Sequence, residues 1–209
     1  SGGIPDINIQ KMSDTPPGLI NAGALMSINC NMPTGPAEYA AALWNSANSA
    51  NYSSYAITPY TVAVHTVQGS YAGCISWFQN PSASVSAHYV VRSFDGQVTQ
   101  MVCHRNRAWH VGTQNSFSVG IDHEGYIEQG ITWYTNVLYQ SSAFLSRFIA
   151  EDMGINKFQT YDGPRTDGLL PLSHTCHKIK GHQHYIENTH TDPGPQWNWY
   201  RYYQLINDR

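Results

Sequence analysis

The chain has 209 residues, of which 41% are hydrophobic, enough to build a core, so wholesale disorder is excluded. Only 12% of the residues are charged, the net charge is −3, and Lys and Arg together number 11. This composition argues against nucleic-acid binding through a cluster of basic residues. No apolar run approaches the ~20 residues of a membrane span, and no signal peptide is visible at the start.

The N-terminal region predicts an arm followed by one domain. Residues 1–33 show weak periodicity and are interrupted by prolines, so we expect an arm that packs on a domain formed by residues 34–209. Pro36 and Glu38 are typical of the first turn of a helix. We expect that helix to run to about Asn51 and to bury Tyr39, Leu43 and Ala47.

The middle of the chain predicts strands around one helix. Residues 60–67 are β-branched and apolar on both faces, which indicates a buried strand, and a short helix is expected over 71–78. Residues 87–94 and 97–102 flank Asp95-Gly96, which is a strong hairpin signal. Residues 117–122 alternate apolar and polar side chains, which predicts a half-buried strand.

The last part of the chain predicts one long helix and a loop. Apolar residues recur at helical spacing from Tyr134 to Met153, and Gly154 is a typical helix end. Residues 155–176 contain Gly-Pro and Asp-Gly breakers and are expected to be loop-rich. Together the elements predict an α/β fold: a single domain with a central mixed β-sheet flanked by helices.

Four cysteines, Cys30, Cys74, Cys103 and Cys176, permit two disulfides in three pairings. Their spacing lacks a CxxC motif, so a zinc site built on thiolates is disfavoured. We expect secretion with one or two disulfides, and specifically that Cys176 is oxidised; buried free thiols are the alternative.

Ten histidines are the chemical signal of the chain. His65 lies in the most apolar strand, where a buried imidazole needs a partner, either a metal ion or a backbone carbonyl. His182 and Asp192 lie on a turning segment rich in Pro and Gly, and with His65 they would supply three zinc ligands and leave a position for water. His174 and His177 flank Cys176 and form a rival set; we expect that segment to hold no metal.

Two carboxylates lie at the end of the predicted strand 117–122. Asp122 and Glu124 share one face because strand side chains repeat every two residues, whereas His123 points the other way. A carboxylate beside a zinc-bound water is the usual general base for hydrolysis. A solvated strand end is the alternative interpretation.

Several ordered motifs then resemble one family. The chain is similar to the zinc-dependent N-acetylmuramoyl-L-alanine amidases shared by phage endolysins, bacterial cell-wall amidases and peptidoglycan-recognition proteins. The resemblance covers about residues 60–203 and rests on the strand ending in His65, the hairpin, the Arg-Ala-Trp-His stretch at 107–110, the strand ending in Asp122, Gly181-His182, and Thr-Asp-Pro-Gly-Pro at 191–195.

The resemblance implies the residue roles. His65, His182 and Asp192 fall on the zinc ligands, and His190 falls where relatives often carry a lysine that stabilises the oxyanion. Asp122 falls on the position of the catalytic glutamate, one methylene shorter, so Glu124 is its possible substitute or partner. Trp109 and His110 would contact substrate in the cleft.

The implied reaction is hydrolysis of the amide between N-acetylmuramic acid and L-alanine, with Zn²⁺ as cofactor and peptidoglycan or a muropeptide as substrate. We expect residues 34–209 to be the amidase catalytic domain, a monomer, secreted or periplasmic in the bacterial cell envelope. Three alternatives stay open: a non-catalytic peptidoglycan-recognition module, a cytoplasmic muropeptide-recycling amidase, and a structural or adhesive secreted domain.

Overall fold

The structure is a computed structural model, and it describes residues 37–208. Within that range the strands are β1 (Ala42–Trp44), β2 (Tyr52–Ala56), β3 (Thr61–Thr66), β4 (Tyr89–Val91), β5 (Val98–Gln100), β6 (Asn106–Ala108), β7 (Ser118–His123) and β8 (Ile179–Gly181). The α-helices are α1 (Tyr71–Gln79), α2 (Gly130–Trp133), α3 (Asn136–Met153) and α4 (Trp199–Asn207). The predicted arm, residues 1–33, lies outside the described residues.

Six strands form one mixed sheet in the order β1-β5-β4-β7-β3-β8. The hairpin pair β4–β5 is antiparallel, and the other neighbours run parallel. Strands β2 and β6 form a separate antiparallel pair. The mixed α/β sheet, the hairpin around Asp95-Gly96, the helix α1 and the long helix ending at Gly154 confirm the sequence predictions.

The sheet is covered on both faces. Helices α3 and α4 pack on one face, against side chains that include Val62, Val64 and Ile121. Helix α1 packs on the other face, where Cys74 and Phe78 contact the cluster around Val90. The prediction that β7 is half-buried is therefore wrong, because a strand in the middle of a two-sided sheet is buried on both faces.

The predicted helix over residues 35–51 is also wrong. The segment forms β1 and a 3₁₀ turn over Ser49–Asn51, and it leads directly into β2. Tyr39 and Ala47 are buried as expected, but Leu43 is 56% exposed. A spacing of four residues fits a helix, yet β1 is fixed by parallel pairing with β5, a partner more than fifty residues away in sequence.

The cysteine prediction needs correction. Cys74 and Cys176 both carry free thiols, Cys74 buried and Cys176 exposed, so the expected oxidation of Cys176 and a second disulfide are wrong. Cys176 lies on an exposed turn; an even number of cysteines in a chain does not bring a partner thiol within reach.

Among the described helices, none is both long and apolar enough to cross a membrane.

Candidate metal centre

Three side chains from distant parts of the chain converge at one end of the sheet. His65 Nδ1 lies 3.1 Å from His182 Nδ1 and 3.2 Å from Asp192 Oδ2, and His182 Nδ1 lies 3.1 Å from Asp192 Oδ1. All three residues are buried. The folded chain thus joins residues that are 117 and 127 positions apart.

Strand direction explains this convergence. β3 and β8 are parallel neighbours, so His65 near the end of β3 and His182 just after β8 lie at the same edge of the sheet. Such edges, at the carboxyl ends of parallel strands, are the usual binding sites of α/β proteins. The Asp192 carboxylate is held there because its Oδ2 accepts the backbone N–H of Thr66, at 3.1 Å.

A glycine lets the two ligand segments approach each other. A Cβ added to Gly181 would lie 2.6 Å from Pro193 Cδ, so a larger residue would displace the turn that carries Asp192. The backbone N–H of Gln183 donates to the Asp192 carbonyl at 3.0 Å. His182 and Asp192 are therefore fixed relative to each other by backbone contacts as well as by their side chains.

The donor set fits a zinc ion. Two imidazole nitrogens and one carboxylate oxygen are typical of catalytic zinc sites, which use three protein ligands. Metal–ligand distances of about 2.0–2.1 Å place tetrahedral donors about 3.3–3.4 Å apart. The observed separations of 3.1 to 3.2 Å match that spacing.

The charges at the site favour a cation. Burial lowers the pKa of His65 despite its contact with Asp192, which keeps the imidazole neutral and able to bind a metal. Burial alone would raise the pKa of Asp192, but hydrogen bonds with His182 and His65 outweigh it and hold the pKa well below its usual range. Asp192 is thus a buried carboxylate anion beside the neutral imidazole of His65.

Asp122 and Glu124 have different surroundings. Asp122 lines the cleft beside His65 and Asp192, and burial together with the nearby Asp192 raises its pKa to about 8. Among the described residues, none donates a hydrogen bond to its carboxylate. Glu124 follows the end of β7, and its Oε2 accepts the backbone N–H of Ser93 at 2.8 Å. Glu124 therefore has a structural contact, and Asp122 is the carboxylate in the cleft.

Two cavities meet at the metal centre. One of about 500 Å³ lies along α1 and contains Asp122 and Asp192, and one of about 260 Å³ contains Glu187 and Asn188. His110, His182 and His190 line both cavities. The exposed His190 ring stacks on His182, with centroids 4.6 Å apart and planes at 9°. A polymer could therefore run past the ligands in both directions.

The two predicted substrate contacts differ in position. His110 lies in the cleft, with its Nδ1 2.9 Å from His65 Nε2. Trp109 lies outside the lining of both cavities, and its Nε1–H donates to Ser53 Oγ at 3.1 Å. A substrate contact for Trp109 therefore stays a prediction without support from the cleft.

The structure also separates the rival histidines from the centre. His174 Nε2 lies 2.8 Å from Gln114 Oε1. Within residues 37–208, three or more possible metal ligands converge at two places, and neither includes His174 or His177. The second place holds Glu38, His104 and Asp152, where His104 Nδ1 lies 2.7 Å from Asp152 and the Glu38 carboxylate accepts the His104 backbone N–H. That group is satisfied by its own hydrogen bonds.

Sequence reasoning missed two residues of the site. Trp77 on α1 lines the larger cavity, and its side chain is 49% exposed. Ser118 in β7 contacts His110, with its Oγ 3.3 Å from His110 Nε2. The alternation of β7, which places Ser118 on the face of Asp122, was a signal that could have found Ser118. Trp77 carried no such signal, because a tryptophan on a short helix is usually core.

Comparisons with known proteins identify the family of the chain. The profile of the Amidase_2 family, described as N-acetylmuramoyl-L-alanine amidase, matches residues 54–195. N-acetylmuramoyl-L-alanine amidase A of Achromobacter lyticus is 42% identical over 171 residues, which is 81% of this chain and 96% of the relative. The 1,6-anhydro-N-acetylmuramyl-L-alanine amidase AmpD of Escherichia coli is 29% identical over 133 residues, and the match spans 58% of each chain.

Solved structures show the same fold. The selenomethionine derivative of AmpD has a TM-score of 0.58 at 24% identity and covers 80% of this chain and 95% of its own. The N-acetylmuramoyl-L-alanine amidase LysC of Clostridium intestinale has a TM-score of 0.58 at 16% identity, with 80% of this chain and 97% of its own covered. Both likenesses concern the fold.

Proposed function

The chain belongs to the N-acetylmuramoyl-L-alanine amidase family, and we propose that it uses zinc to hydrolyse the amide between N-acetylmuramic acid and L-alanine in bacterial peptidoglycan. One observation carries the zinc proposal: the donor atoms of His65, His182 and Asp192 converge beside the unpaired carboxylate of Asp122. The family relationship supports the substrate, since the 42% identical relative carries that activity in its name.

His65, His182 and Asp192 would hold the ion, and the chemistry that zinc supplies in such a site is Lewis acidity, which lowers the pKa of a bound water to ~7. Asp122 takes the proton of the attacking water and returns it to the leaving amine. The negative charge of Asp192 raises the pKa of Asp122, whereas the positive charge of a bound ion would lower it. The protonation state of Asp122 in the metal-loaded protein depends on the balance of these two effects.

His190 is proposed to stabilise the oxyanion. It is exposed at the rim, stacked on His182, and reaches both cavities. Its ring N–H would donate to the carbonyl oxygen of the substrate as that oxygen gains negative charge. Donors of this kind are typically worth ~3–4 kcal/mol in the transition state.

The cleft also supports binding of a sugar chain. The larger cavity has an apolar wall that includes Trp77, Phe78 and Val85, next to the polar side chains of Gln68 and Ser70. Aromatic faces stack on sugar rings while hydroxyl and amide groups bond to sugar hydroxyls.

We propose that the protein acts in the bacterial cell envelope, as a secreted or periplasmic monomer.

Digestion of purified sacculi tests this function. The wild-type protein is expected to release peptides that begin with L-alanine and to leave intact glycan strands, as identified by mass spectrometry. Chelator and the His182→Ala variant should both stop the release. Binding to sacculi without new termini would instead identify a recognition module, and cleavage at another bond would refute the assignment.

A second candidate function has its own support. The relatives named 1,6-anhydro-N-acetylmuramyl-L-alanine amidase support an enzyme that acts on 1,6-anhydro-muropeptides. The higher identity to amidase A, over nearly its whole length, favours the cell-wall substrate. Comparing rates on intact sacculi and on soluble anhydro-muropeptides separates the two, since a recycling enzyme would leave sacculi undigested.

A further inference from the structure

His110 lies between the metal centre and strand β7 and contacts both. We propose that His110 is a positioning residue that, through a hydrogen-bond relay from Ser118, keeps the ring proton of His65 on Nε2 and leaves Nδ1 free for the metal; the inference rests on the metal centre of the proposed function. The sequence prediction assigned His110 to substrate contact instead.

The relay begins at Ser118. Its Oγ lies 3.0 Å from the carbonyl oxygen of Gln114 and 3.3 Å from His110 Nε2. A carbonyl only accepts hydrogen bonds, so the hydroxyl hydrogen belongs on the shorter contact, to Gln114. The Ser118 oxygen then faces His110 as an acceptor, and His110 Nε2 must carry the ring proton.

The second step fixes His65. A neutral imidazole has one N–H, so His110 with its proton on Nε2 presents Nδ1 as an acceptor. His110 Nδ1 lies 2.9 Å from His65 Nε2, which therefore carries a proton and donates it. His65 Nδ1 keeps its lone pair and faces His182 and Asp192 at 3.1 and 3.2 Å. Metal-binding histidines nearly always donate their other ring N–H in this way.

The surroundings of His110 hold the ring in place. Asn115 Oδ1 accepts the backbone N–H of His110 at 2.8 Å and that of Val111 at 2.7 Å, which fixes the chain at this turn. A Cβ added to Gly120 would lie 2.6 Å from His110 Nδ1. Glycine at position 120 thus makes the room in β7 that the imidazole fills, and the acceptor atom is set before metal binds.

This arrangement commits both nitrogens of His110. One is paired with Ser118 and the other with His65, so neither is available to bind a substrate group. The ring lines both cavities, but its hydrogen-bonding atoms act on the protein. His110 therefore acts through His65.

The relay predicts an effect of Ser118, which contacts no metal ligand. In Ser118→Ala the hydroxyl acceptor for His110 Nε2–H is lost, and only the backbone carbonyl of Ser118 is left beside the ring. We expect the His110 proton to shift to Nδ1, where it would be donated to His65. The His65 proton is then pushed to Nδ1, onto the atom that binds the metal. Loss of such an outer partner costs about 10- to 100-fold in metal affinity.

Four variants test the proposal: Ser118→Ala, His110→Leu, His110→Asn, which keeps an oxygen acceptor near the position of Nδ1, and the control Ser141→Ala. Ser141 is also buried and donates to a backbone carbonyl, that of Gly96, on the α3 face of the sheet. Zinc affinity is measured by competition with a chelator. The ring protons of His65 and His110 are located by ¹⁵N NMR in the metal-free and zinc-loaded proteins.

We expect Ser118→Ala and His110→Leu to lose about 10- to 100-fold in zinc affinity, while His110→Asn and Ser141→Ala stay close to wild type. The wild-type His110 proton should be on Nε2, and on Nδ1 in Ser118→Ala. Wild-type affinity in Ser118→Ala, or a wild-type His110 proton on Nδ1, would overturn the relay. A wild-type chain that binds no zinc would refute the metal centre, while the His110 proton would still report on the relay.

Discussion

His65 in β3 and Asp122 in β7 are register partners in neighbouring parallel strands, and their side chains enter the cleft from the same face of the sheet. Asp122 is also in register with Val90 of β4, which packs under α1, so this face is the α1 side. The backbone ladder itself therefore sets the distance between the proposed metal ligand His65 and the proposed proton acceptor Asp122. Strand pairing places neighbouring backbones about 4.7–4.9 Å apart.

Asp122→Asn should lower kcat by about 10²- to 10⁴-fold with zinc still bound, because an amide does not accept the proton of the water. Glu124→Gln is the matched control. Its carboxylate bonds to Ser93 outside the cleft, so we expect a much smaller effect. The comparison is made at equal zinc content. If Glu124→Gln is the inactive variant, the assignment of the base is reversed.

His182→Ala should lose both zinc and activity, since it removes one of three donors. His174→Ala removes a histidine whose ring contacts Gln114, and we expect it to keep one zinc per chain. Zinc is measured by elemental analysis after dialysis. Full zinc content in His182→Ala together with loss in His174→Ala would move the centre to the rival segment.

Cys176 should react with a maleimide in the native protein without reductant, because its thiol is free and exposed. Cys74 is equally free but only 6% exposed, and burial raises the pKa of its thiol, so it should react only after unfolding. Peptide mapping by mass spectrometry identifies the labelled residue. Native Cys176 that reacts only after reduction would contradict the structure.

His104 should make the free energy of unfolding depend on pH. Burial alone would lower its pKa, but Glu38 and Asp152 outweigh burial and raise it above 6.5. The charged form of His104 thus stabilises the fold fully below pH 6.5, and this stabilisation is lost as the pH rises through the raised pKa. His104 lowers the pKa of Asp152 from 3.8 against the effect of burial. The stabilisation that the Asp152 carboxylate contributes is therefore lost as the pH falls below about 4.

The groups facing His104 also include the Tyr89 hydroxyl, 2.6 Å from Nε2, and the nearby cation of Arg105. His104→Gln should cost about 1–3 kcal/mol at pH 6 and less at pH 9, measured by urea unfolding. Tyr89→Phe is a control for the neutral hydrogen bond. An equal loss at both pH values would show that His104 is uncharged in the fold.

The sequence predicted the elements whose signals are local. Residues 61–66 are apolar on both faces, Asp95-Gly96 marks the hairpin, and Gly154 ends α3 in a left-handed conformation. It failed where distant partners decide, as at Leu43 in β1, or where a helix was not sought: α4 begins at the cap Asn198 and buries Trp199, Tyr202 and Ile206.

The site divides in the same way. Motif order brought out His65, His182 and Asp192, whose convergence the fold then provides. The division of labour between Asp122 and Glu124 depends on the end of β7, because the strand stops at His123 and Glu124 turns to Ser93. The spacing of residues in the sequence does not predict that β7 ends at His123. The contact between His110 and His65 likewise needs the space above Gly120.

Removal and return of the metal tests the central claim most directly. Dialysed protein is assayed on a soluble muropeptide of defined structure, and zinc content and the release of peptides beginning with L-alanine are measured on the same sample. We predict that activity falls with zinc content and returns fully when one equivalent of zinc per chain is added. Full activity in protein free of zinc and other divalent metals would contradict the account.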